Sequence, residues 1–272
     1  MKNHKGERKV NFIEKIVERK IYELSKAKEN LPLKDLIKIS SSSRYEKRNF
    51  AETIKRNCEI KIIAEIKKSS PSAGNLSDDN FNPISIAKDY EKSGANAISV
   101  LTDFEFFRGR KQYLPQVKNA VEIPVLRKDF IIDEYQIYES KYLGADAILL
   151  IVRIIDDVQL EDYIWLAKEL GLDVLVEVYD KHDLARALKI SPYPKIIGIN
   201  NRNLATFQTD INISLEMSKY LPEDVIKVSE SGIKTRDDVL KISDAGFDAI
   251  LIGETLMRAT DKNKKMKELL CL

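Results

Sequence analysis

The sequence contains only two cysteines, Cys58 and Cys271, and two histidines, His4 and His182. Two cysteines alone can build neither a disulfide framework nor a structural zinc site. A catalytic metal held by histidine and cysteine is excluded on the same count. We therefore expect no metal and a reducing, cytoplasmic compartment.

Long apolar runs and a strong net charge are also missing from the 272 residues. No apolar segment approaches the roughly 20 residues that span a bilayer, and the N-terminus lacks the apolar stretch of a secretory signal. Lys and Arg number 45 against 43 Asp and Glu, and 43% of the residues are apolar. This balance is typical of a globular chain rather than a disordered one. We therefore expect no membrane partner.

The near-neutral charge divides into a basic leader and a mildly acidic remainder. Residues 1–48 carry 14 basic against 7 acidic side chains, whereas residues 49–272 carry 31 against 36. We interpret the first segment as an N-terminal helical extension and the second as the main domain. The leader's charges share their segment with apolar positions, whereas sequence-independent nucleic-acid binding depends on many clustered phosphate contacts. We therefore expect no nucleic-acid partner.

Within the leader, apolar residues recur at helical spacing. Ile13, Val17, Ile21 and Leu24 are separated by four, four and three positions, which predicts an amphipathic helix over Val10–Ala27. Such a helix needs a surface to cover. A short apolar segment then follows Pro32, and residues 40–43 are predicted to form a loop.

From residue 60 onward, short aliphatic runs alternate with longer helical patterns. The eight runs are Ile60–Ile66, Ala97–Leu101, Ile123–Leu126, Ala147–Val152, Val174–Val178, Ile196–Ile199, Val225–Val228 and Ala249–Ile252. Helical patterns between them include Ile84–Lys92, Leu160–Leu170 and Arg236–Ala245. The β-branched, nearly continuous runs predict strands buried on both faces, as in a parallel sheet covered by helices.

Eight such units match an α/β fold of the (β/α)8 TIM-barrel type with the leader as an N-terminal helical extension. An open doubly wound sheet is the alternative. No G-x-G-x-x-G motif follows the first run, which counts against that alternative. A weak repeat also supports βα units, because Gly-Ala-Asn-Ala-Ile, Gly-Ala-Asp-Ala-Ile and Gly-Phe-Asp-Ala-Ile begin at Gly94, Gly144 and Gly246. Each glycine suits a left-handed helix C-cap before a strand.

Candidate site residues, most of them polar, gather where six of the predicted strands end. They are Glu65 and Lys67 in the first, Lys128 and Phe130 with the third, Glu177 in the fifth, Asn200 and Arg202 at the sixth, Glu230 and Ser231 at the seventh, and Gly253 and Glu254 at the eighth. In a barrel these ends converge on the active-site rim. Taken singly, Glu65 and Lys67 could be a simple ion pair, but Glu177 interrupts an apolar run, and carboxylates are rarely buried without a partner or a task. A site is the better explanation.

A phosphate site is expected at the same rim. Barrels of this type often hold a phosphate between the loops after strands seven and eight, through backbone N–H groups. Here those loops contain Gly232 and Gly253, and glycine lets the backbone approach an anion closely. The alternative is that these glycines serve only to form tight turns. Ser70 in the first loop could add a hydroxyl donor.

These motifs together resemble those of the indole-3-glycerol-phosphate synthases of the tryptophan pathway, in the family's order and over nearly the whole chain. The matching elements are Glu65-Ile-Lys67-Lys-Ser-Ser70-Pro71-Ser72, Leu126-Arg-Lys128-Asp-Phe130, Leu175-Val-Glu177-Val178, Gly198-Ile-Asn200-Asn-Arg202, Ser229-Glu230-Ser231-Gly232 and Leu251-Ile-Gly253-Glu254-Thr-Leu-Met257. The resemblance implies a carboxy-lyase that closes the pyrrole ring of 1-(2-carboxyphenylamino)-1-deoxyribulose 5-phosphate, with loss of carbon dioxide and water, without a cofactor.

The resemblance also implies a role for each site residue. Lys128 would be the general acid, and Lys67 would hold the anthranilate carboxylate, although the step served by each lysine stays open. Glu177 would accept a proton in the dehydration and Glu65 would orient the lysines. Asn200, Glu230 and Ser231 would belong to the same catalytic group, with Asn200 at the hydroxyl region of the substrate and the other two completing its polar wall. Arg202 and Phe130 would bind substrate. The phosphate would be held by Ser70, Gly232, Gly253 and the N–H of Glu254. In this family an N-terminal helix lies over the barrel mouth, and we expect a monomer.

Two departures and two rivals accompany the resemblance. Arg110 stands where the family usually has a Gly-Ser pair, and Arg127 stands where an apolar residue is common but should point away from the pocket. A phosphoribosylanthranilate isomerase would carry Cys and Asp where this chain has Glu65 and Glu177. A non-catalytic phosphate-binding barrel would need a decayed site, and no catalytic position has changed.

Overall fold

Eight parallel strands close into a barrel. They are β1 (Lys61–Ile66), β2 (Ala97–Leu101), β3 (Val125–Lys128), β4 (Ala147–Ile151), β5 (Asp173–Val178), β6 (Ile196–Asn200), β7 (Ile226–Glu230) and β8 (Ala249–Ile252). Each strand pairs with its neighbours in sequence, and β1 also pairs with β8, which closes the sheet. The (β/α)8 barrel is thus confirmed, and closure excludes the open sheet. The computed structural model describes residues 12–76, 81–203 and 206–270, so His4, the predicted helix start at Val10, and Cys271 lie outside the described residues.

Helices precede the barrel and join its strands. They are α1 (Phe12–Asn30), α2 (Leu33–Ser41), α3 (Phe50–Ile54), α4 (Pro83–Lys92), α5 (Tyr113–Lys118), α6 (Glu134–Leu143), α7 (Asp157–Glu169), α8 (Lys181–Ala187), α9 (Asn212–Met217), α10 (Arg236–Asp244), α11 (Glu254–Arg258) and α12 (Lys262–Leu270). Short 3₁₀ turns span Val152–Ile154 and Ser218–Tyr220, and residues Ser69–Ser70 pair with Gly74–Asn75 in a small antiparallel hairpin that was not predicted. Among the described helices, none has the length and apolarity needed to cross a bilayer.

The third strand begins and ends two residues later than predicted. Pro124 has no N–H to give to a ladder, although its carbonyl accepts the N–H of Ile98 at 2.9 Å. The strand extends instead through Arg127 and Lys128, because both charged side chains find partners. The predicted loop at residues 40–43 also begins late, since α2 continues to Ser41.

The repeated glycines adopt the predicted left-handed conformation. Gly94, Gly144 and Gly246 have φ angles of 98°, 86° and 84°. Each follows the end of a helix and redirects the chain into the next strand, a backbone conformation that glycine reaches without steric cost.

The third residue of each repeat holds the amino-terminal rim of the barrel. Asn96 Oδ1 accepts the N–H of Ile62 at 2.9 Å. In the same way one carboxylate oxygen of Asp146 accepts the N–H of Val125, and one of Asp248 accepts the N–H of Lys227, each at 2.8 Å. The side chain beginning one strand therefore binds the backbone beginning its neighbour.

Apolar side chains fill the lower barrel and leave its upper end to polar groups. Along β3, Leu126 packs in the barrel interior, and Lys128, two residues on, points to the same side. From the amino-terminal side, Phe50 and Ile54 of α3 pack fully buried against this interior core. A second, larger core lies between the barrel and the surrounding helices. The charged side chains that face the cavity thus lie at the carboxyl ends of the strands.

Helix α1 is amphipathic as predicted, but the predicted buried face is partly wrong. Its buried side chains are Ile16, Lys20 and Leu24, whereas Ile21 is 57% exposed. The helix is rotated because the Lys20 ammonium group binds buried carboxylates of the barrel, an attraction that the apolar pattern of the leader does not reveal.

Candidate active site

A cavity of about 330 Å³ opens at the carboxyl ends of the strands. All the predicted site residues except Glu230 line it: Glu65, Lys67, Ser70, Lys128, Phe130, Glu177, Asn200, Arg202, Ser231, Gly232, Gly253 and Glu254. The structure thus brings together side chains from β1, β3, β5 and β6 with the loops after β7 and β8. A cavity of this size accommodates a small-molecule substrate.

Lys128 is the centre of the charged groups in this cavity. Its Nζ lies 2.5 Å from Glu230 Oε2 and 3.3 Å from Glu177 Oε2. Burial opposes the charge of the ammonium group, but Glu230, Glu177 and then Glu65 outweigh burial and raise the pKa of Lys128. Lys128 is therefore a protonated amine at neutral pH, held beside two carboxyl groups.

Glu65 and Lys67 form a second pair across the cavity. Glu65 Oε1 lies 2.6 Å from Lys67 Nζ, so the expected ion pair exists. Burial would raise the pKa of Glu65, but Lys67 and then Lys128 more than offset it and the pKa is lowered. Gly253 gives this pair its space, because a Cβ there would lie 2.2 Å from Glu65 Oε1 and 2.9 Å from Lys67 Nζ.

Glu230 lies beneath Lys128 rather than on the cavity wall. It is fully buried at the end of β7, in register with Asn200 of β6. Burial, with a further contribution from the nearby Glu177, raises its pKa to about 8 against the lowering effect of Lys128. Gly198 of β6 leaves room for this carboxyl group, since a Cβ there would lie 2.2 Å from Glu230 Oε1.

Tyr179 is a site residue that the sequence reasoning missed. Its hydroxyl donates to Glu177 Oε1 and accepts a hydrogen bond from Asn200 Nδ2 at 3.3 Å. The Arg153 guanidinium lies over the ring, 4.5 Å from its centroid. Strand alternation would have found this residue, because positions two apart point to the same side and Glu177 already pointed inward.

Arg202 connects three loops at the rim. It donates to Ser72 Oγ at 2.8 Å and lies 3.4 Å from Glu254 Oε2. Ser70, in the same loop as Ser72, accepts the N–H of Ala73 at 3.2 Å. The loops after β1, β6 and β8 are thus held together around the cavity.

The predicted phosphate region has the backbone conformation expected of an anion-binding turn. Ser231 and Gly232 have φ angles of 69° and 81°, and consecutive residues in such conformations make concave groups of N–H donors. Lys234, Arg258 and Lys265 also line this part of the cavity, and no sequence argument had singled them out. Arg258 is paired with Glu254 and Lys265 with Glu268.

Apolar side chains form the remaining walls. Phe107 and Phe130 lie with ring centroids 6.1 Å apart, and Leu101, Leu149 and Ile151 also line the cavity. Phe12 of α1 packs edge-on against Phe106 and Phe207, with centroid distances of 5.4 and 5.0 Å. These two rings belong to the loops after β2 and β6, so α1 contacts two separate sides of the mouth.

The two arginines that depart from the family pattern lie away from the cavity. Arg127 is fully buried outside the barrel, where it binds Asp129 and Glu139, so it points away from the pocket as expected. Arg110 is exposed in the loop after β2 and does not line the cavity.

In the part of the chain that the structure describes, one group of three side chains is close enough together to ligate a metal ion, and this group does not line the cavity. It comprises Asp180, His182 and Asp183. Both carboxylates already have partners, because Asp180 caps α8 and Arg153 binds Asp180 and Asp183. The ionisable side chains that line the cavity include the amines of Lys67 and Lys128 and the carboxyl groups of Glu65 and Glu177.

Comparisons with known proteins agree with these motifs. A family model described as indole-3-glycerol phosphate synthase matches residues 13–269. A Legionella pneumophila (strain Paris) protein of that name is 48% identical over 260 residues, 96% of this chain and 98% of that protein. Its namesake from Chlorobium phaeovibrioides is 51% identical over 222 residues, 81% of this chain and 85% of that protein. A solved 3-hexulose-6-phosphate synthase shares the barrel, with TM-score 0.64 and 17% identity over 78% of this chain and 99% of that chain.

Proposed function

The chain belongs to the indole-3-glycerol phosphate synthase family, and we propose that it converts 1-(2-carboxyphenylamino)-1-deoxyribulose 5-phosphate into indole-3-glycerol phosphate, carbon dioxide and water. The ring carbon that bears the carboxylate attacks the ketone carbon, and the ketone oxygen takes up a proton. The carboxylate then leaves as carbon dioxide and returns its electron pair to the aromatic ring. The hydroxyl group then takes up a proton and leaves as water, and the neighbouring ring carbon loses a proton, which forms the double bond of the indole. Rearomatisation drives the decarboxylation, so the proposal includes no cofactor.

The arrangement of Lys128 is the observation that carries this proposal. Lys128 lines the cavity, and its protonated Nζ lies 2.5 Å from Glu230 and 3.3 Å from Glu177. A positioned ammonium group can deliver the proton that ring closure requires, and apolar walls strengthen its effect on a developing charge. We assign the general acid to Lys128.

Lys67 is assigned to the substrate carboxylate. Its Nζ lies at the cavity wall and has Glu65 as its partner, 2.6 Å away. Glu65 fixes the direction of this amine, while its effect on Lys128 acts through charge over a longer distance. A second role for Lys67, as a proton donor in the dehydration, is part of the same proposal.

Glu177 is assigned to accept a proton during the dehydration. It lies beside Lys128, so acid and base act on the same part of the substrate. The Tyr179 hydroxyl binds its other oxygen and leaves one oxygen directed at Lys128. Asn200 is placed to contact the hydroxyl region of the substrate. Ser231 completes the polar side of the pocket, while the buried Glu230 holds Lys128 from beneath.

The phosphate of the substrate is assigned to the rim of β7 and β8. Ser70, Gly232, Gly253 and the N–H of Glu254 would hold it, supported by the conformation of the turn at Gly232 and by the basic side chains around it. Arg202 and Phe130 would contact the rest of the substrate, and Phe130 would pack against its anthranilate ring.

The remaining expectations form part of the same proposal. Residues 1–48 cover the barrel mouth through α1, whose Phe12 and Ile16 line the cavity, and residues 49–272 form the catalytic barrel. The enzyme acts as a cytoplasmic monomer on an anionic small molecule. Light scattering of the purified protein tests the monomer, and a dimer would contradict it.

Conversion of the carboxyphenylamino ketose phosphate tests the activity. We expect indole absorbance and fluorescence to appear without added metal or nucleotide, and no indole from folded protein would refute the proposal. Lys128→Met should abolish product formation. Lys181→Met is the control, because Lys181 is an exposed lysine on α8 that binds Tyr220 and should keep wild-type turnover.

Release of carbon dioxide separates the two chemical steps. In a single turnover, Lys128→Met should release neither carbon dioxide nor indole, because ring closure comes first. Glu177→Gln should release carbon dioxide at close to the wild-type amplitude while indole formation is lost. Equal loss of both products in the Glu177 variant would contradict its role in dehydration.

A further inference from the structure

Lys20 is a buried lysine in the middle of the leader helix. Only 4% of its surface is exposed, and it lies between Ile16 and Leu24 on the face that packs against the barrel. The exposed Lys26 of the same helix, by contrast, pairs at the surface with Glu29. A lysine is rarely buried in this way unless it is paired.

Two of the partners of Lys20 come from the loops that directly follow β2 and β3. Its Nζ lies 3.0 Å from Asp103 Oδ2 and 3.0 Å from Asp129 Oδ1, with Glu23 of the helix 2.9 Å away. Asp103 and Asp129 are themselves buried, at 0% and 3% exposure. Without Lys20, these two carboxylates would lose a shared counter-charge in a place that water does not reach.

Both carboxylates organise the backbone around the cavity. Asp129 directly follows Lys128, and its Oδ1 accepts the N–H of Phe130 at 2.9 Å. Asp103 Oδ1 accepts the N–H of Phe106 at 2.8 Å, in the turn that carries Phe107 to the cavity wall. One ammonium group from the leader therefore holds the ends of β2 and β3.

From these contacts we propose that Lys20 is a positioning residue for the reaction, resting on the function proposed above. Through Asp129 it fixes the chain at Lys128 and thereby the place of the proton donor. Through Asp103 it fixes the aromatic wall that faces this donor. The general acid Lys128 is then correctly placed only when α1 is docked on the barrel.

Lys28 of the same helix provides a matched control. Its Nζ lies 2.7 Å from Asp133 Oδ2, so it also ties α1 to the barrel. Both members of this pair are partly exposed, at 40% and 29% of their side chains, and neither lines the cavity. Lys28→Met removes an attachment of the helix without removing the charge beside Lys128.

The experiment compares Lys20→Met with Lys28→Met and the wild type in steady-state turnover and thermal unfolding. A displacement of Lys128 by even a fraction of an ångström should lower kcat about tenfold or more in Lys20→Met, while KM stays within about threefold. Lys28→Met should keep wild-type kcat. If Lys20→Met does not fold, Lys20→Gln makes the same comparison, because its amide can still donate to one carboxylate.

Limited acetylation with peptide mass spectrometry gives a readout that needs no substrate. In Lys20→Met, Glu230 and Glu177 should hold Lys128 less firmly, so Lys128 should be acetylated faster than in the wild type. Lys28→Met should match the wild type. Equal kcat and equal Lys128 labelling in the two folded variants would overturn the proposal, as would a rise in KM alone. An inactive wild-type enzyme would refute the proposed function, and the labelling would still decide the role of Lys20.

Discussion

Alanine at position 198 would place a methyl group where the Glu230 carboxyl group lies. The added Cβ would be 2.2 Å from Glu230 Oε1 and 3.1 Å from Leu175 Cδ1. Because β6 is paired on both sides within the closed barrel, its backbone has little freedom to retreat. The Glu230 side chain must therefore move by about 1 Å to reach an ordinary contact distance.

The consequence for catalysis follows from the contact that Glu230 makes. Its other oxygen holds Lys128 Nζ at 2.5 Å, and a shift of about 1 Å lengthens this contact beyond hydrogen-bond range. A misplacement of that size costs roughly a hundredfold in rate, which is about 2.7 kcal/mol of transition-state stabilisation. Overpacking also costs about 1–3 kcal/mol of folding stability.

Gly171 supplies the control for Gly198→Ala. Its φ is +74° and no atom lies within 4 Å of an added Cβ, so alanine there strains the backbone by about 1–2 kcal/mol without touching the site. We expect both variants to lose stability in urea unfolding, but only Gly198→Ala to lose kcat/KM in the indole fluorescence assay. A folded Gly198→Ala enzyme with wild-type kcat/KM would refute this reasoning.

Three further changes test other groups. Tyr179→Phe removes the hydroxyl that binds Glu177 and should lower kcat about tenfold, the effect of one hydrogen bond to a charged group; unchanged kcat would contradict the assignment. Asp146→Asn leaves the buried Lys118 ammonium without its counter-charge and should cost about 3 kcal/mol in urea unfolding, with turnover of the folded enzyme unchanged. Burial and the nearby Glu177 raise the pKa of Glu230 to about 8, so its folded state binds a proton more tightly than its unfolded state, and its contribution to stability is lost as pH rises from about 5 to 8. Glu230→Gln should remove that part of the pH dependence of unfolding, and an identical slope in both proteins would contradict it.

The barrel could be predicted from the sequence because its signal is local. Strands buried on both faces are continuous aliphatic runs, and the ends of all eight runs lie within two residues of the observed strand ends. The third run was displaced because Arg127 and Lys128 look like loop residues until their distant partners are known. The same limit explains the rotated face of α1, since Lys20 binds a carboxylate 83 positions away.

The site was predictable to the extent that strand ends converge. Once the barrel is assumed, Glu65, Lys128 and Glu177 must face one rim, and the structure places them there. What could not be predicted is which group touches which. Gly198 illustrates this, because a glycine is needed there to leave room for a carboxyl group on the neighbouring strand. No residue near Gly198 in the sequence indicates that need.

The amino-terminal rim has a consequence for how this protein can change. Asn96, Asp146 and Asp248 hold the beginnings of the strands, and none of them is among the described residues that line the cavity. Architecture and chemistry thus occupy opposite ends of the same strands. Evolution can exchange the loops at one end for a new substrate while the other end continues to specify the barrel. A designer could replace the loops at the carboxyl ends of the strands and leave the amino-terminal rim unchanged.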